Sequence, residues 1–133
     1  MIYLDTHVVV WLYAGRTDLL PPAAHALIDS NDLLISPIVG LELQYLYESA
    51  KTTEPAGPVI GALAREIGLR RCDLSFADVA DAALRETWTR DPFDRMVVAQ
   101  ARLRGVPLLT KDRSILGRYE GAVWDHTTEG RSP

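Results

Sequence analysis

The sequence of 133 residues lacks the features that mark several classes of protein. Its single cysteine, Cys72, excludes an internal disulfide and fits a reducing compartment. The apolar run at residues 8–14 is far shorter than the ~20 residues that span a membrane, and no basic segment typical of a signal peptide precedes it. The three histidines are too scattered to form a zinc site. We therefore expect a soluble, cytoplasmic protein that does not contact a membrane.

Positive charge is also scarce. The formal net charge is −4, and residues 65–133 hold twelve of the 14 lysine and arginine side chains without a dense basic run. Proteins that bind duplex nucleic acid non-specifically neutralise many phosphates with such runs. The sequence therefore predicts no tight, non-specific binding to duplexes.

The remaining composition is that of one globular domain. Hydrophobic residues make up 47% and charged residues 24% of the chain, and its length matches a single domain. The sequence contains no repeat, low-complexity tract or linker. We predict one domain over residues 1–133, with a frayed tail from about residue 129.

Short apolar segments alternate with helical ones along the chain. Strands are predicted at residues 2–4, 33–36, 69–74, 106–110 and 122–124. Helices are predicted at residues 8–13, 23–28, 37–48, 59–67, 76–87 and 92–104, with a loop at residues 51–58. Buried strands joined by helices are typical of a parallel sheet covered on both faces. The predicted fold is a three-layer α/β/α sandwich with a short, mainly parallel sheet.

Two acids lie just past predicted strands. Asp5 follows the first strand, and Asp112 comes soon after the fourth. Open parallel sheets bind ligands at the edge formed by the carboxyl ends of their strands. Each acid is equally well explained as a helix N-cap or a turn residue, so position alone does not decide its role.

Glu42 lies in the middle of an apolar helix face. Its neighbours three and four residues away are Ile38, Val39, Tyr45 and Leu46. A glutamate on such a face must be paired, protonated or bound to metal, and no lysine or arginine lies within four residues of it. The structural alternative is a distant arginine, such as Arg95, that reaches across the core.

Asp91 and Asp94 open the helix predicted at residues 92–104. Asp91 fits the N-cap, and the helix dipole favours acids in the first turn. Two acids at this spacing nevertheless share one face and repel one another unless a cation or several N–H groups lie between them. Val97 and Val98 turn the Asp94 face inward. Helix capping therefore accounts for one of the two acids and leaves the role of the other undecided.

Asp5, Glu42, Asp94 and Asp112 offer only carboxylate oxygens as metal ligands. Clustered carboxylates raise one another's pKa unless a cation compensates their charge. Such ligands, without a histidine or cysteine cluster, suit Mg²⁺ or Mn²⁺ rather than zinc. If these acids meet in the fold, we expect one of these two cations between them.

Four segments of the sequence together resemble the PIN-domain family. They are residues 1–7, residues 36–43, residues 90–95 with 99–101, and residues 108–112. The segments occur in the family's order and cover essentially the whole chain, and the stretch from Asp91 to Asp94 is the most specific. Within the family, the sequence looks most like the VapC-type toxins of bacterial toxin–antitoxin pairs.

The resemblance implies an α/β/α fold and a Mg²⁺- or Mn²⁺-dependent endonuclease that cleaves RNA phosphodiesters. The catalytic acids and metal ligands that it implies are Asp5, Glu42, Asp94 and Asp112, with Asp91 as an additional ligand candidate. Thr110, the hydroxyl residue before the last acid, is a candidate for contact with the substrate. In such a site, the metal activates a bound water and neutralises charge on the phosphate. Glu42 is then either an outer ligand or the group that orients the water.

Basic residues that flank the acids are candidates for phosphate contacts. They are Arg90, Arg95, Lys111 and Arg113. Each of them is equally well explained as a charged residue on a solvent-exposed helix face. The expected substrate is single-stranded or looped RNA, because unpaired backbone bends into a small acidic cleft. His7, close to Asp5, either contacts substrate or serves as a packed or capping residue.

The resemblance also implies a cognate antitoxin that masks the site, and usually a homodimer. Four aromatic side chains in the N-terminal half suit a groove for an amphipathic helix. They are Trp11, Tyr13, Tyr45 and Tyr47. Ordinary core packing is the alternative for at least two of them.

Two other functions are alternatives. A phosphotransfer enzyme uses a strand-end aspartate and a lysine, and Asp5 and Lys111 are candidates for these roles. His7 stands, however, where a phosphatase of this kind has a second aspartate. A catalytically silent PIN-like binding module is the other alternative, and the presence of all the acids argues against it.

Overall fold

The computed structural model describes residues 1–125, and its centre is a sheet of five short strands. The strands are β1 (Ile2–Leu4), β2 (Leu33–Ile35), β3 (Arg70–Arg71), β4 (Leu108–Leu109) and β5 (Ala122–Val123). They lie in the order β3-β2-β1-β4-β5, and every neighbouring pair is parallel. The predicted fold class, an α/β sandwich with a short parallel sheet, is confirmed.

Apolar side chains explain why these segments form the centre of the molecule. Strands β1, β2 and β4 are buried along their whole length. Tyr3 of β1 lies in register with Leu34 on one side and with Leu108 on the other. Continuous apolar strands are typical of parallel sheets that helices cover on both faces. The sheet is therefore the frame from which the candidate acids project.

Seven α-helices and one 3-10 turn connect the strands within residues 1–125. They are α1 (Thr6–Tyr13), the 3-10 turn (Thr17–Leu19), α2 (Pro22–Ser30), α3 (Pro37–Glu48), α4 (Ala56–Ile67), α5 (Phe76–Ala83), α6 (Pro92–Arg104) and α7 (Arg113–Leu116). Side-chain oxygens accept N–H groups that the first turns of five helices leave unpaired. These N-caps are Asp5, Ser36, Ser75, Asp91 and Asp112.

The order of the strands reverses between β1 and β4. The chain runs outwards from β1 to β2 and β3, and then crosses back to β4 and β5 on the other side of β1. Ligands of open parallel sheets bind at this kind of reversal, beyond the carboxyl ends of the strands. Asp5 follows β1, and Asp112 lies three residues past the end of β4. The topology thus brings both predicted strand-end acids to the reversal.

Several element boundaries differ from those predicted. Helix α4 begins at Ala56, so Gly57 and Pro58 belong to the helix rather than to the loop. Proline costs no hydrogen bond there, because the first N–H groups of a helix have no partner within it. Strands β3, β4 and β5 are only two residues long. The sequence pattern predicts neither α7 nor the 3-10 turn, since elements this short show no period.

Helix α5 ends at Ala83 rather than near residue 87. The chain leaves the helix and places the buried Glu86 against α6. Its carboxylate accepts hydrogen bonds from Arg102 Nε at 2.9 Å and from Trp88 Nε1 at 2.8 Å. This ion pair of a buried glutamate with an exposed arginine joins the segment after α5 to α6. Its partners are too far apart in sequence for the local pattern to reveal them.

The tail for which the sequence predicts fraying, from residue 129, lies outside the described residues. Within residues 1–125, no helix combines the length and the apolar character that crossing a membrane requires.

The two glycines at the ends of α4 allow a matched test of backbone strain. Gly68 caps the helix with a φ of +73°, whereas Gly57 lies inside it, and a Cβ added to either meets no atom within 4 Å. We expect Gly68→Ala to lower the free energy of unfolding by about 1 kcal/mol, because L-residues are strained at positive φ. Gly57→Ala should raise it by about 0.5 kcal/mol by reducing the entropy of the unfolded chain.

Urea unfolding of both variants beside the parent chain measures these changes. Equal destabilisation by the two substitutions would contradict the positions assigned to the ends of α4.

Candidate active site

Asp5 is a buried carboxylate held by two donors. It is 7% exposed. Its Oδ1 accepts the backbone N–H of Thr6 at 2.8 Å, and its Oδ2 accepts the hydroxyl of Thr110 at 2.6 Å. Burial raises the pKa of Asp5, the hydrogen bonds from Thr110 and Thr6 oppose that shift, and the net direction is upward. Hydrogen bonds therefore fix the position of the Asp5 carboxylate, but burial still destabilises its negative charge.

Thr110 connects the two strand-end acids. This fully buried residue donates its hydroxyl to Asp5 and accepts the backbone N–H of Asp112 at 3.0 Å. The hydroxyl is thus occupied within the protein, whereas the sequence predicts a substrate contact for it. Asp112 itself caps α7, because its Oδ1 accepts the N–H groups of Ser114 at 2.8 Å and Ile115 at 3.2 Å.

Glu42 reaches the same edge of the sheet from α3. Its carboxylate is half-buried and accepts the hydroxyl of Thr6, the first residue of α1. Burial raises the pKa of Glu42 more than this hydrogen bond lowers it. The alternative pairing with Arg95 is wrong, because the Arg95 side chain donates to the backbone oxygens of Thr89 and Ala83.

Asp94 faces the other four acids from the first turn of α6. Within residues 1–125, its half-buried carboxylate has no hydrogen bond or salt bridge. Burial, followed by the negative charges of Asp91, Asp112, Asp5 and Glu42, raises the pKa of Asp94 to about 7. The structure therefore brings all five predicted acids close enough for their charges to interact, and the repulsion is concentrated on Asp94.

Asp91 caps α6, as its helix-capping interpretation predicts. Its Oδ1 accepts the N–H groups of Phe93 at 2.8 Å and Asp94 at 3.4 Å. The Oδ2 atoms of Asp91 and Asp112 accept no hydrogen bond from the described part of the chain. Capping occupies one oxygen of each acid and leaves the other available, so the roles of cap and ligand are compatible.

The donor set fits a hard divalent cation. It consists of carboxylate oxygens, which Mg²⁺ and Mn²⁺ prefer, and no lysine or arginine of residues 1–125 forms a salt bridge with Asp94. As placed, the side chains of residues 1–125 form no group of three or more carboxylate, imidazole or thiol groups arranged to hold one ion. Binding of one ion by three or more of these acids therefore requires their carboxylates to turn towards one another, and the Oδ2 atoms of Asp91 and Asp112 are available as ligands.

The predicted phosphate-binding residues are placed differently from one another. The half-buried Arg95 and the exposed Arg90 both donate to backbone oxygens, Arg90 to that of Thr87 at 3.0 Å. Lys111 and Arg113 are exposed on either side of Asp112. Of the four predicted residues, these two present their charge most directly beside the acids.

Two residues next to Asp5, Thr6 and His7, interact with the acids in ways that the sequence did not predict. Thr6 donates its N–H to Asp5 and its hydroxyl to Glu42. The sequence signal is weak, a hydroxyl residue after a strand-end acid, because Glu42 lies 36 positions away. His7 is exposed rather than packed, and its charge interacts with those of Asp5 and Glu42.

The aromatic residues predicted to form a groove are mostly on the surface. Tyr13, Tyr45 and Tyr47 are 38%, 50% and 40% exposed, and Trp11 is half-buried. Tyr45 makes an edge-to-face contact with Phe93, with the ring centroids 5.6 Å apart. Core packing is therefore not the explanation for the three tyrosines.

Comparison with known proteins identifies relatives over most of the chain. The family model described as PIN domain matches residues 2–121. Ribonuclease VapC22 of Mycobacterium tuberculosis is 32% identical over 117 residues, which cover 86% of this chain and 88% of that protein.

Two solved structures share the fold. A toxin–antitoxin complex from Klebsiella pneumoniae aligns with a TM-score of 0.68 and 22% identity, over 95% of this chain and 98% of that one. VapBC2 from Rickettsia felis, bound to a DNA fragment from its promoter, aligns with a TM-score of 0.65 and 21% identity, over 94% and 100% of the two chains. These structures support the fold, and the family model and the Mycobacterium relative establish the family: the chain belongs to the PIN-domain family and, within it, is a VapC-type protein.

Proposed function

We propose that this chain is an endoribonuclease that uses Mg²⁺ or Mn²⁺ to hydrolyse RNA phosphodiesters, and that it is the toxin of a toxin–antitoxin pair. The observation that carries the proposal is the convergence of five acids, centred on Asp94, whose hydrogen-bond donors within residues 1–125 are hydroxyl and amide groups rather than lysine or arginine side chains. The name of the Mycobacterium relative, a ribonuclease, supports the class of reaction.

These acids would hold a divalent cation, which when bound would supply an activated water for attack on the phosphodiester and would neutralise charge on the phosphate. Asp5, Asp94 and Asp112 are the proposed ligands, and Asp91 is a further one through its Oδ2. Thr110 holds Asp5 and Asp112 at a fixed separation. The protein thus fixes the Asp5 carboxylate relative to the backbone of Asp112 before any ion binds, and the remaining carboxylates turn towards the ion on binding.

Glu42 has a separate role in this proposal. Thr6 orients its carboxylate from α1, and burial raises its pKa, which makes it a stronger proton acceptor than an ordinary glutamate. We assign Glu42 either to outer coordination of the ion or to orientation of the attacking water. Both roles require the ionised carboxylate.

The proposed substrate is a single strand or a loop of RNA. The exposed Lys111 and Arg113 flank Asp112 and provide contacts for phosphates on either side of the cleaved bond. A chain with a net charge of −4 and without a basic run gains little from the phosphates of a long duplex. Unpaired RNA bends so that one phosphate enters the acidic cleft.

The proposed partner is an antitoxin that covers the acids in the cytoplasm. The two solved structures that share the fold are a toxin–antitoxin complex and VapBC2. Exposed Tyr13, Tyr45 and Tyr47 offer amphipathic surface for a helix of the partner. An arginine of the antitoxin placed among the acids would compensate their charge and exclude the metal. A homodimer remains part of the proposal.

Substitution of the acids tests the proposed reaction. We expect Asp94→Asn and Glu42→Gln to reduce metal-dependent cleavage by about 100-fold or more, since loss of even an outer partner of a metal ligand costs about 10- to 100-fold. Cleavage of a panel of RNAs with Mg²⁺, Mn²⁺ or EDTA measures the effect. Asp78→Asn, in the first turn of α5, and Glu48→Gln, in the last turn of α3, are matched controls that should retain activity.

Metal-independent cleavage, or full activity in both acid variants, would overturn the proposal. Absence of both cleavage and Mn²⁺ binding in the parent chain would favour a catalytically silent binding module.

The hydroxyl of Thr110 allows a second test. Thr110→Val removes the donor to Asp5 and the acceptor for the Asp112 N–H with little change in shape. We expect about 10- to 100-fold weaker Mn²⁺ binding, whereas Thr110→Ser should restore it. Thr52→Val is the matched control, because its buried hydroxyl has no hydrogen-bond partner within residues 1–125 and its loss should be neutral or stabilising. Calorimetric titration with Mn²⁺ measures the affinity, and unchanged affinity in Thr110→Val would exclude the positioning role.

The raised pKa of Asp94 predicts how the stability of the metal-free protein depends on pH. Between the ordinary pKa near 4 and the folded value of about 7, the folded state binds more protons than the unfolded state, so stability falls as pH rises through this range. We expect Asp94→Asn to raise the free energy of unfolding at pH 8 by about 1 kcal/mol, a value reduced for the partial exposure of the carboxylate. Near pH 4 the gain should vanish.

Urea unfolding in EDTA at both pH values measures this gain. Asp78→Asn, also in the first turn of a helix but exposed, should slightly destabilise the protein by weakening the interaction with the helix dipole. A pH-independent effect of Asp94→Asn would contradict the assigned repulsion.

A further inference from the structure

A group of flat and cationic side chains continues the sheet edge beyond the acids. In a parallel sheet, the carboxyl ends of all strands meet at one edge. Asp5 follows β1, Lys111 and Asp112 follow β4, and Trp124 directly follows β5. Since β1, β4 and β5 are neighbours in the sheet, these positions lie side by side. The edge therefore extends from the acids towards Trp124.

Ring contacts join Trp124 to residues of α1. The ring centroid of Trp11 lies 6.0 Å from that of Trp124 and 6.3 Å from that of His7. Lys111 Nζ lies over the Trp11 ring, 4.8 Å from its centroid. We call these four residues, His7, Trp11, Lys111 and Trp124, the aromatic strip. His7 and Lys111 are exposed, and both tryptophans are half-buried.

The aromatic strip begins at the acids. His7 is close enough to Asp5 and Glu42 for their charges to interact, and Lys111 directly precedes Asp112. Core packing explains the buried part of each tryptophan. It does not explain why a lysine and an exposed histidine lie against the same indole beside the acids. Cations beside aromatic faces are the combination that proteins use to bind unpaired nucleotides.

We propose that the aromatic strip binds unpaired bases of the RNA next to the phosphate that enters the acidic cleft. This inference rests on the proposed ribonuclease function and adds the side of the cleft on which the substrate lies. Bases stack against Trp11, Trp124 and His7, while Lys111 pairs with a phosphate between them. A duplex cannot bind in this way, because its bases are already stacked and paired.

The proposal explains how an acidic protein holds an anionic substrate. Stacking depends on the faces of the bases and is insensitive to the net charge of the protein. It also tolerates different bases, since each has a face that stacks. The aromatic strip therefore contributes affinity for single strands, and sequence preference must come from other contacts.

Substitutions that keep apolar bulk but remove the aromatic face test the strip. Trp11→Leu and Trp124→Leu are introduced into the full chain carrying Asp94→Asn, and binding is measured in EDTA so that the RNA stays intact. We expect each substitution to weaken binding of a single-stranded RNA by about tenfold or more. Phe76→Leu is the matched control, because Phe76 is an exposed aromatic residue at the start of α5, outside the strip, and it should bind like the parent.

An abasic strand of the same length separates stacking from charge. The tryptophan substitutions should leave its binding unchanged, whereas Lys111→Met should weaken binding of both strands and reduce the dependence of binding on salt by about one phosphate contact. In the unsubstituted chain, the base-bearing strand should quench tryptophan fluorescence and the abasic strand should not. This measurement decides the question even if a substituted chain fails to fold.

Equal binding of the base-bearing RNA by the parent and both tryptophan variants would overturn the proposal, as would equal fluorescence quenching by the two strands. Cleavage of RNA by the unsubstituted chain with Mg²⁺ or Mn²⁺ is measured alongside. If it cuts RNA but the tryptophan variants bind normally, the inference alone is wrong. If it neither cuts nor binds single strands, the proposed function fails as well.

Discussion

Repulsion between carboxylates is the main physical constraint on the edge of the sheet where the strands have their carboxyl ends. Asp94 is repelled by the negative charges of four other acids, Asp91, Asp112, Asp5 and Glu42. In the described chain, hydrogen bonds rather than salt bridges stabilise these acids. A hydrogen bond to a charged group contributes about 1.5–3 kcal/mol and fixes its direction. It does not remove the charge, and burial together with the charges that remain raises the pKa of Asp94 to about 7.

The parallel topology supplies those donors without any dedicated loop. After each of the strands β1 to β4 the chain turns into a helix, so helices α1 and α7 begin at the same edge where β1 and β4 end, and α6 begins beside them. The N-termini of these helices carry unpaired N–H groups and partial positive charge. Asp5, Asp112 and Asp91 are their respective N-caps. The same arrangement of helix N-termini that brings the acids together therefore also stabilises their negative charges.

The sequence predicts this arrangement to the extent that its causes are local. Asp5 and Asp112 could be placed because apolar strands precede them, and Glu42 because no cation stands near it on its helix. Thr6 could not be linked to Glu42, nor Trp11 to Trp124, because these contacts join segments that only the strand order brings together. The end of α5 also escaped prediction, since it depends on an ion pair of Glu86 with a residue of α6.

The hydrogen bond between Asp5 and Thr110 joins residues 105 positions apart. The central strand β1 is the first to be synthesised, yet its carboxyl end receives its neighbours β4 and α7 only after more than four-fifths of the 133 residues have been made. A chain interrupted by premature termination before residue 110 would retain Asp5, Glu42 and, if long enough, Asp94, but would lack the threonine and the last acid. Incomplete translation products would therefore carry an unfinished site, and assembly of the acids is tied to completion of nearly the whole fold.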